Sequence, residues 1–306
     1  MNNIEKVIVT SLSFSKNTQL RNELKSQYTN ISFNDTGRLL EENELIRFFE
    51  GATMAIVGTE KISDKVLDYA PKLKCISKYG VGLDNLDTES LKKRGIRLGW
   101  SGGINKRSVS EMTLAFMITL IRNLYPSSIQ LKNGEWNKQG GRQLSSKTIG
   151  IIGVGEIGKD VIELLTPFNC QILVNDVIDQ ETYYQEHGLE SVSKEQLFQN
   201  ADIISLHTPL TKETYHLINR DSLSMMKETG FIINTARGGI IDQEALKLAL
   251  DQEIIAGAAL DVFETEPETD PVLLENPKVF STPHIGGNAE EAILAMGQSA
   301  ISNLTS

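Results

Sequence analysis

The chain is poor in cysteine, tryptophan, histidine and positive charge, and it has no long apolar run. Two cysteines in 306 residues, Cys75 and Cys170, make neither a disulfide framework nor a metal cluster. Each lies in an apolar, strand-like stretch (Leu73 to Ser77, Asn169 to Val174), where a thiol acts as a small, inert, buried hydrophobe. Lys and Arg number 30 against 40 Asp and Glu, a formal net charge of −10. That balance argues against nucleic acid as a partner, since such binding needs a basic face to displace counterions. It leaves room for a small, locally positive pocket. The most apolar window, Met112 to Ile121, carries two Thr and is too short to span a bilayer. The N-terminal Met-Asn-Asn-Ile-Glu-Lys lacks a basic region leading into an apolar one, so no secretory signal is visible. The expectation is a soluble, cytoplasmic protein with neither membrane nor nucleic acid as partner.

What is present is ordinary globular material, 40% hydrophobic and 23% charged. The length suggests about two domains. Short β-rich runs alternate with helix-period segments. Val7 to Thr10, Ala55 to Val57, Leu73 to Ser77 and Ile96 to Leu98 read as buried strands. Glu41 to Phe49 and Thr88 to Lys93 read as helices between them, the second capped by Asp87 or Thr88 and stopped by Gly95. A long helix is expected from Lys106 to Asn123, with Ser108-x-x-Glu111 as a capping box. A second alternating series follows, with strands at Thr148 to Ile152, Gln171 to Val174, Asp202 to Leu206, Gly230 to Asn234, Ala256 to Leu260 and Val279 to Ser281. Asp242 caps a helix over Gln243 to Leu250, and one more apolar-striped helix runs from Ala289 onward. This alternation predicts right-handed βαβ units and mainly parallel sheets, an α/β protein.

The segment Thr148 to Gly158 ends in Gly153-Val-Gly155-Glu-Ile-Gly158. A lone G-x-G-x-x-G is weak, but here it follows a strand-like run and opens a helical one, and an acidic residue, Asp176, ends the next strand. Gly153 permits the tight turn, Gly155 lets the backbone approach a pyrophosphate, and Gly158 allows close helix–strand packing. The free N–H groups at the helix start suit phosphates. Asp176 accepts hydrogen bonds from the ribose hydroxyls and repels a 2′-phosphate, and Val177 and Ile178 offer no Arg to hold one. The expected cofactor is therefore NAD rather than NADP.

Three later segments each follow a strand: Asn234 to Asp242 with Arg237, Leu260 to Pro267 with Glu266, and Ser281 to Gly287 with His284. Singly, each has a bland explanation as an ion pair, a loop acid or a turn histidine. Together, an Arg, a Glu and a His at the carboxyl ends of successive strands of a dinucleotide-binding sheet supply what hydride chemistry on a 2-hydroxy acid requires.

With these motifs in order, the chain resembles the D-isomer-specific 2-hydroxyacid dehydrogenases, and among them the D-3-phosphoglycerate dehydrogenases. The resemblance rests on Lys78 to Asn85 (Lys-Tyr-Gly-Val-Gly-Leu-Asp-Asn), Ser108 to Glu111, the glycine fingerprint, His207-Thr208-Pro209, Asn234 to Gly239, Gly257 to Phe263, Glu266-Pro267 and Pro283-His284. It implies two Rossmann-like parallel-sheet domains, one flavodoxin-like and one doubly wound, with the active site in the cleft between them. The substrate domain would be discontinuous, 1–103 plus 284–306, around an NAD-binding domain over 104–283. The Lys106 helix and the helix after Ala289 look like the two crossings.

The resemblance also implies roles. His284 exchanges the hydroxyl proton as hydride moves at C2, Glu266 raises its pKa, and Arg237 binds the substrate carboxylate and polarises the C2 oxygen. The backbone of Gly80, Val81 and Gly82 cradles the carboxylate, and Lys78 is in place to meet a phosphate or to be a solvated lysine. Besides the fingerprint residues with Glu156, Ile157 and Asp176, the cofactor contacts are Thr208, Pro209, Thr235, Ala236, Gly286, Gly287 and Asp261, the last on the nicotinamide carboxamide. His207 is structural or a cofactor contact, and His187 and His216 match no motif and read as surface residues. A homodimer through the long helix and the Tyr125 to Asn137 segment is implied, with Leu131 and Trp136 as anchors or ordinary core.

Two departures bear on the substrate. The chain ends shortly after His284, so appended regulatory domains and feedback through them are not expected. The loop Trp100 to Arg107 lacks the proline usual in phosphoglycerate enzymes, which weakens the case for 3-phosphoglycerate. That acid is still the first candidate, with hydroxypyruvate, glyoxylate or a sugar acid behind it. An NAD-sensing interaction protein is the alternative from another class, since transcriptional corepressors share this fold. The set Arg237, Glu266 and His284 disfavours it. A formate-type enzyme would carry Gln at position 266.

Overall fold

Both faces of each sheet are covered by helices, which is why the strands read as continuous apolar runs rather than alternating ones. In the computed structural model, which describes residues 5–305, the chain forms two units: Met1–Asn105 with Asn288–Ser306, and Lys106–Gly287.

The first unit is built on five parallel strands, β1 (Val7–Val9), β2 (Ile31–Phe33), β3 (Met54–Val57), β4 (Cys75–Lys78) and β5 (Arg97–Gly99), in the order β2-β1-β3-β4-β5. Strand order reverses between β1 and β3, the flavodoxin-like arrangement. Asp87 caps the Thr88–Lys93 helix by accepting from the Ser90 N–H, and Gly95 ends it at φ +67°. The terminal helix, Glu290–Ser302, lies wholly in this unit. Its Met296, Ala300 and Ile301 pack with Val7, Val9 and Ile56, and the Ala300 carbonyl accepts from Ser77 Oγ at 2.7 Å.

The second unit carries seven parallel strands, β6 (Thr148–Ile152), β7 (Gln171–Asn175), β8 (Glu190–Ser191), β9 (Ile203–Leu206), β10 (Phe231–Asn234), β11 (Gly257–Leu260) and β12 (Val279–Ser281), in the order β12-β11-β10-β9-β6-β7-β8. Strand pleating sends neighbouring residues to opposite cores. Ile149, Ile151, Ile203, Ile233 and Ala259 face Phe116, Met117 and Ile162, while Ile152, Ile204, Ile232 and Ala258 face Leu197, Leu246 and Leu250. The order reverses between β6 and β9, which opens a crevice at their carboxyl ends.

Several sequence expectations change. The long helix stops at Ile121, because Asn123 takes a left-handed φ of +52° and a separate helix, Leu124–Lys132, begins after it. Ser108 does not cap that helix, which already starts at Lys106; its Oγ instead donates to the Gly286 carbonyl at 2.5 Å. Neither this helix nor the terminal one is a crossing. Each packs within one unit, and the chain changes unit between Asn105 and Lys106 and again between Gly287 and Asn288. His284 accordingly belongs to the second unit. Strands β2 and β8 do not stand out in the sequence, being short, polar-interrupted edge strands without an apolar run. Both cysteines carry free thiols, Cys75 buried and Cys170 half-buried, and burial pushes both pKa values up. No helix among the described residues is long and apolar enough to cross a membrane.

Candidate active site

The glycine loop after β6 is shaped by contact. Gly153 sits at φ +94°, and its N–H donates to the Asn175 carbonyl at 2.9 Å. A Cβ on Gly158 would lie 2.1 Å from the Gly153 carbonyl oxygen, so the Glu156–Leu165 helix starts flush against the turn. A Cβ on Gly155 would meet nothing within 4 Å. Side chains are thus excluded where the helix packs, and space is left where a phosphate would approach. Asp176 sits beside this loop, its carboxylate accepting from the Val154 N–H at 2.6 Å and the Ile178 N–H at 2.8 Å.

Across the crevice, β9 runs into His207 and Thr208. Thr208 Oγ1 and His207 Nδ1 are buried without a protein partner, and His207 Nε2 meets Ser205 Oγ at 2.9 Å. Burial pushes the His207 pKa down to about 4, so the ring is neutral near pH 7 and is a hydrogen-bonding group rather than a charge. An unsatisfied buried hydroxyl on a residue packed beside the glycine loop fits a polar ligand that completes it. NAD fits these residues: phosphates at the Gly155 helix start, ribose hydroxyls at Asp176, and Thr208 as a further donor or acceptor.

The candidate catalytic residues follow the next three strands. After β10, Asn234 folds the turn that presents Arg237. Its Oδ1 accepts from the Ala236 N–H at 3.0 Å, and its Nδ2 donates to the Arg237 carbonyl at 2.8 Å. Thr235 and Ala236 are buried, and Thr235 Oγ1 lies 3.1 Å from Thr113 Oγ1, whose own hydrogen goes to the Val109 carbonyl at 2.8 Å.

After β11, the buried Asp261 carboxylate accepts from Thr282 Oγ1 at 2.5 Å, Ile285 N–H at 2.8 Å and Gly286 N–H at 2.7 Å. The resemblance assigns Asp261 to the nicotinamide carboxamide. The structure shows most of its acceptor capacity spent on the turn that carries His284. Burial raises the Asp261 pKa, and these bonds oppose the rise.

His284 itself has φ +52°, a left-handed conformation uncommon for a residue with a Cβ. Its Nδ1 lies 2.7 Å from Glu266 Oε2, and Glu266 Oε1 accepts from the Phe263 N–H at 2.9 Å. An ionised carboxylate only accepts, so Nδ1 carries a hydrogen and Nε2 is the nitrogen left to exchange a proton. The bond to Glu266 raises the His284 pKa against the opposing effect of burial. Burial in turn raises that of Glu266, but its bonds to His284 and Phe263 outweigh this and leave it lowered. The field of Arg237 acts on both groups. Beside the pair lies a cavity of about 320 Å³ lined by Phe263, Pro267, Leu274 and Pro283 with Glu266, Thr269, Ser281, Thr282 and His284.

Not every expected residue stands in this constellation. Glu156 is exposed and pairs with Lys106 at 2.8 Å, Ile157 packs toward the core, and the Pro209 carbonyl accepts from Thr214. Gly286 is buried under Asp261, and Gly287 follows it. In the first unit Gly80 has φ +119°, and the Val81 carbonyl, just ahead of Gly82, accepts from Trp100 Nε1 at 2.9 Å. Lys78 is buried rather than solvated: its ammonium donates to the Gly58 carbonyl and to Asn85 Oδ1. His187 is exposed. His216 is not a plain surface residue, being half-buried and paired with Glu264. Nothing in the sequence marks Thr282 or Asn234 as working parts. The only hints are a hydroxyl just before Pro283-His284 and an Asn at a strand end, where it forms turns readily.

The family model for the NAD-binding domain of the D-isomer specific 2-hydroxyacid dehydrogenases matches residues 114–286. Over 272 residues the chain is 37% identical to a hydroxypyruvate reductase of Thermotoga maritima, covering 86% of this chain and 87% of that protein. Over 263 residues it is 39% identical to a D-3-phosphoglycerate dehydrogenase of Methanocaldococcus jannaschii, covering 84% of this chain but 50% of that one, so it spans about half that relative's length. A D-lactate dehydrogenase of Aquifex aeolicus, solved with NAD and lactic acid, superposes with a TM-score of 0.83 at 28% identity, over 97% of this chain and 93% of that one. The chain belongs to the D-isomer-specific 2-hydroxyacid dehydrogenases, NAD-dependent oxidoreductases.

Replacing Glu266 by Gln removes the anion that raises the His284 pKa. The alkaline limb of keto-acid reduction, where the imidazolium donor is lost, should move to lower pH in a kcat/KM profile, and turnover should fall by about tenfold. Asp176→Ala should narrow the preference for NADH over NADPH by about tenfold or more, read from kcat/KM with each cofactor.

Proposed function

We propose that this chain interconverts a small, unphosphorylated D-2-hydroxy acid and its 2-keto acid, with hydroxypyruvate the first candidate and glyoxylate next. The observation that carries the reaction type is the 2.7 Å pair of His284 Nδ1 and Glu266 Oε2, set within the field of Arg237 at the carboxyl ends of consecutive strands of an NAD-binding sheet. Bound NAD supplies the hydride acceptor or donor for C2. In reduction His284 Nε2 gives its proton to the C2 oxygen, and in oxidation it takes that proton from the hydroxyl. Glu266 keeps the imidazolium available and fixes the ring's tautomer. Arg237 binds the carboxylate and polarises the C2 oxygen.

Two features favour an unphosphorylated substrate over 3-phosphoglycerate. The Lys78 ammonium already serves the Gly58 carbonyl and Asn85. The hydroxypyruvate reductase relative is matched over nearly its whole length. With NADH and a panel of hydroxypyruvate, glyoxylate and 3-phosphohydroxypyruvate, the unphosphorylated acids should give the higher kcat/KM. His284→Ala should lower turnover of the best of them by about a hundredfold or more. A phosphorylated best substrate overturns the substrate reading, and a His284→Ala variant at full rate overturns the acid–base role.

We also propose a homodimer through the Leu124–Lys132 helix. That helix has no buried residue, and Leu124, Ile129, Leu131 and the following Trp136 are exposed, Trp136 at 78%. An apolar face of this kind suits a self-complementary contact. Light scattering should give a dimer for the native chain and a monomer for Trp136→Glu with Leu131→Glu.

A further inference from the structure

His216 stands apart from the acid–base pair yet touches both loops that serve it. It lies between β9 and β10 with φ +50°. Its N–H donates to the Gly239 carbonyl at 2.9 Å, and its Nε2 meets Glu264 Oε1 at 2.7 Å. The ring stacks flat on Tyr215, with centroids 3.9 Å apart and planes 15° apart. Asp242 Oδ2, on the cap of the next helix, is 3.9 Å from Nδ1. A carboxylate accepts only, so Nε2 carries its hydrogen in the neutral ring as well as in the charged one, and the bond to Glu264 does not wait on protonation.

Each partner of His216 leads to a catalytic group. Glu264 shares a short loop with Glu266, and the Phe263 N–H in that loop donates to Glu266 Oε1. Gly239 follows closely on Arg237. Between them, Gly238 presses on the Phe263 carbonyl so tightly that a Cβ there would lie 1.9 Å from it. The Arg237 turn and the Glu266 loop are thus stacked backbone against backbone, and one residue holds the outer edge of both, His216 taking Gly239 through its backbone N–H and Glu264 through its imidazole. The connection behind it is tied in register, with Ile218 N–H to Ile240 at 3.0 Å and Asp242 N–H to Ile218 at 2.8 Å.

We propose that His216 is a positioning residue: by clamping Glu264 and Gly239 together, it holds Glu266 against His284 and sets the direction of Arg237. Its contacts are with Glu264, Gly239, Tyr215 and Asp242. The inference rests on the acid–base reading of His284, whose charged neighbours are Glu266, Asp261 and Arg237. His216→Ala should lower kcat and raise KM for the keto acid by about tenfold each, because small misplacements at a reacting centre are costly. NADH affinity, measured by fluorescence titration, should stay within about twofold, since the glycine loop is untouched. The alkaline limb of kcat/KM should move to lower pH as Glu266 loses its hold on His284. His216→Gln, which keeps an N–H to offer Glu264, should restore most of both properties. Glu264→Ala should reproduce the His216→Ala defects, and the double variant should be no worse than either single one. Glu264→Ala also carries the test if His216→Ala does not fold. A wild-type rate and pH limb in a folded His216→Ala or Glu264→Ala, additive losses in the double variant, or no recovery in His216→Gln overturns the proposal. A His284→Ala variant with full turnover instead overturns the reading beneath it.

Discussion

A single buried carboxylate, Asp261, organises the reactive end of the second unit. It accepts three hydrogen bonds from the stretch Thr282 to Gly286, and the left-handed backbone at His284 lies inside that stretch. Without that acceptor the buried Gly286 N–H would lose its partner, at a cost of about 1–3 kcal/mol, and the half-buried Thr282 hydroxyl and the Ile285 N–H would lose theirs as well. With it, the turn has one geometry, and the imidazole is delivered to Glu266. The Ser108 bond to the Gly286 carbonyl holds the same turn from the long helix.

Around that anchor the sheet does the placing. Because every strand in the second unit is parallel, all the connections that can carry function emerge at one edge. The glycine loop, Thr208, Arg237, Asp261 and His284 follow β6, β9, β10, β11 and β12 in turn. The helices on both faces make the strands too apolar and too rigid to host chemistry themselves, so the chemistry sits on short turns at their ends. The acidic balance of the chain acts locally too. Glu266 is lowered and His284 raised, so the pair favours the charged form of both partners within a chain of net charge −10.

Much of the fold was legible because continuous apolar runs bounded by turns are what a doubly covered parallel strand requires. Thr148–Ile152 and Val279–Ser281 fall where their sequence pattern puts them, and Asp242 caps its helix through the Ala245 N–H. Strands β2 and β8 were invisible, since an edge strand needs neither length nor apolarity on both faces. The division of the long helix was also hidden, because apolar periodicity continues past Ile121 while the break is a backbone choice at Asn123. The candidate site was legible as a set of residue types, Arg237, Glu266 and His284, together with the glycine loop and Asp176. What linked them was not, because Thr282, Asn234, Ser108 and His216 act through contacts whose partners are distant in the chain.

The sequence by itself determined the class of chemistry. Glycines at a fixed spacing, an acid at the next strand's end, and an Arg, a Glu and a His after later strands are local patterns, and each is set by the geometry of one turn. The tertiary structure alone decided how those groups are held and charged. It turned Asp261 into the anchor of the His284 turn, buried Lys78 against Gly58 and Asn85, and made His207 a neutral buried ring and His216 a clamp. The reason is physical: hydrogen-bond partners, burial and pKa depend on which segments meet in space, and one strand's sequence does not say which loop will lie across it.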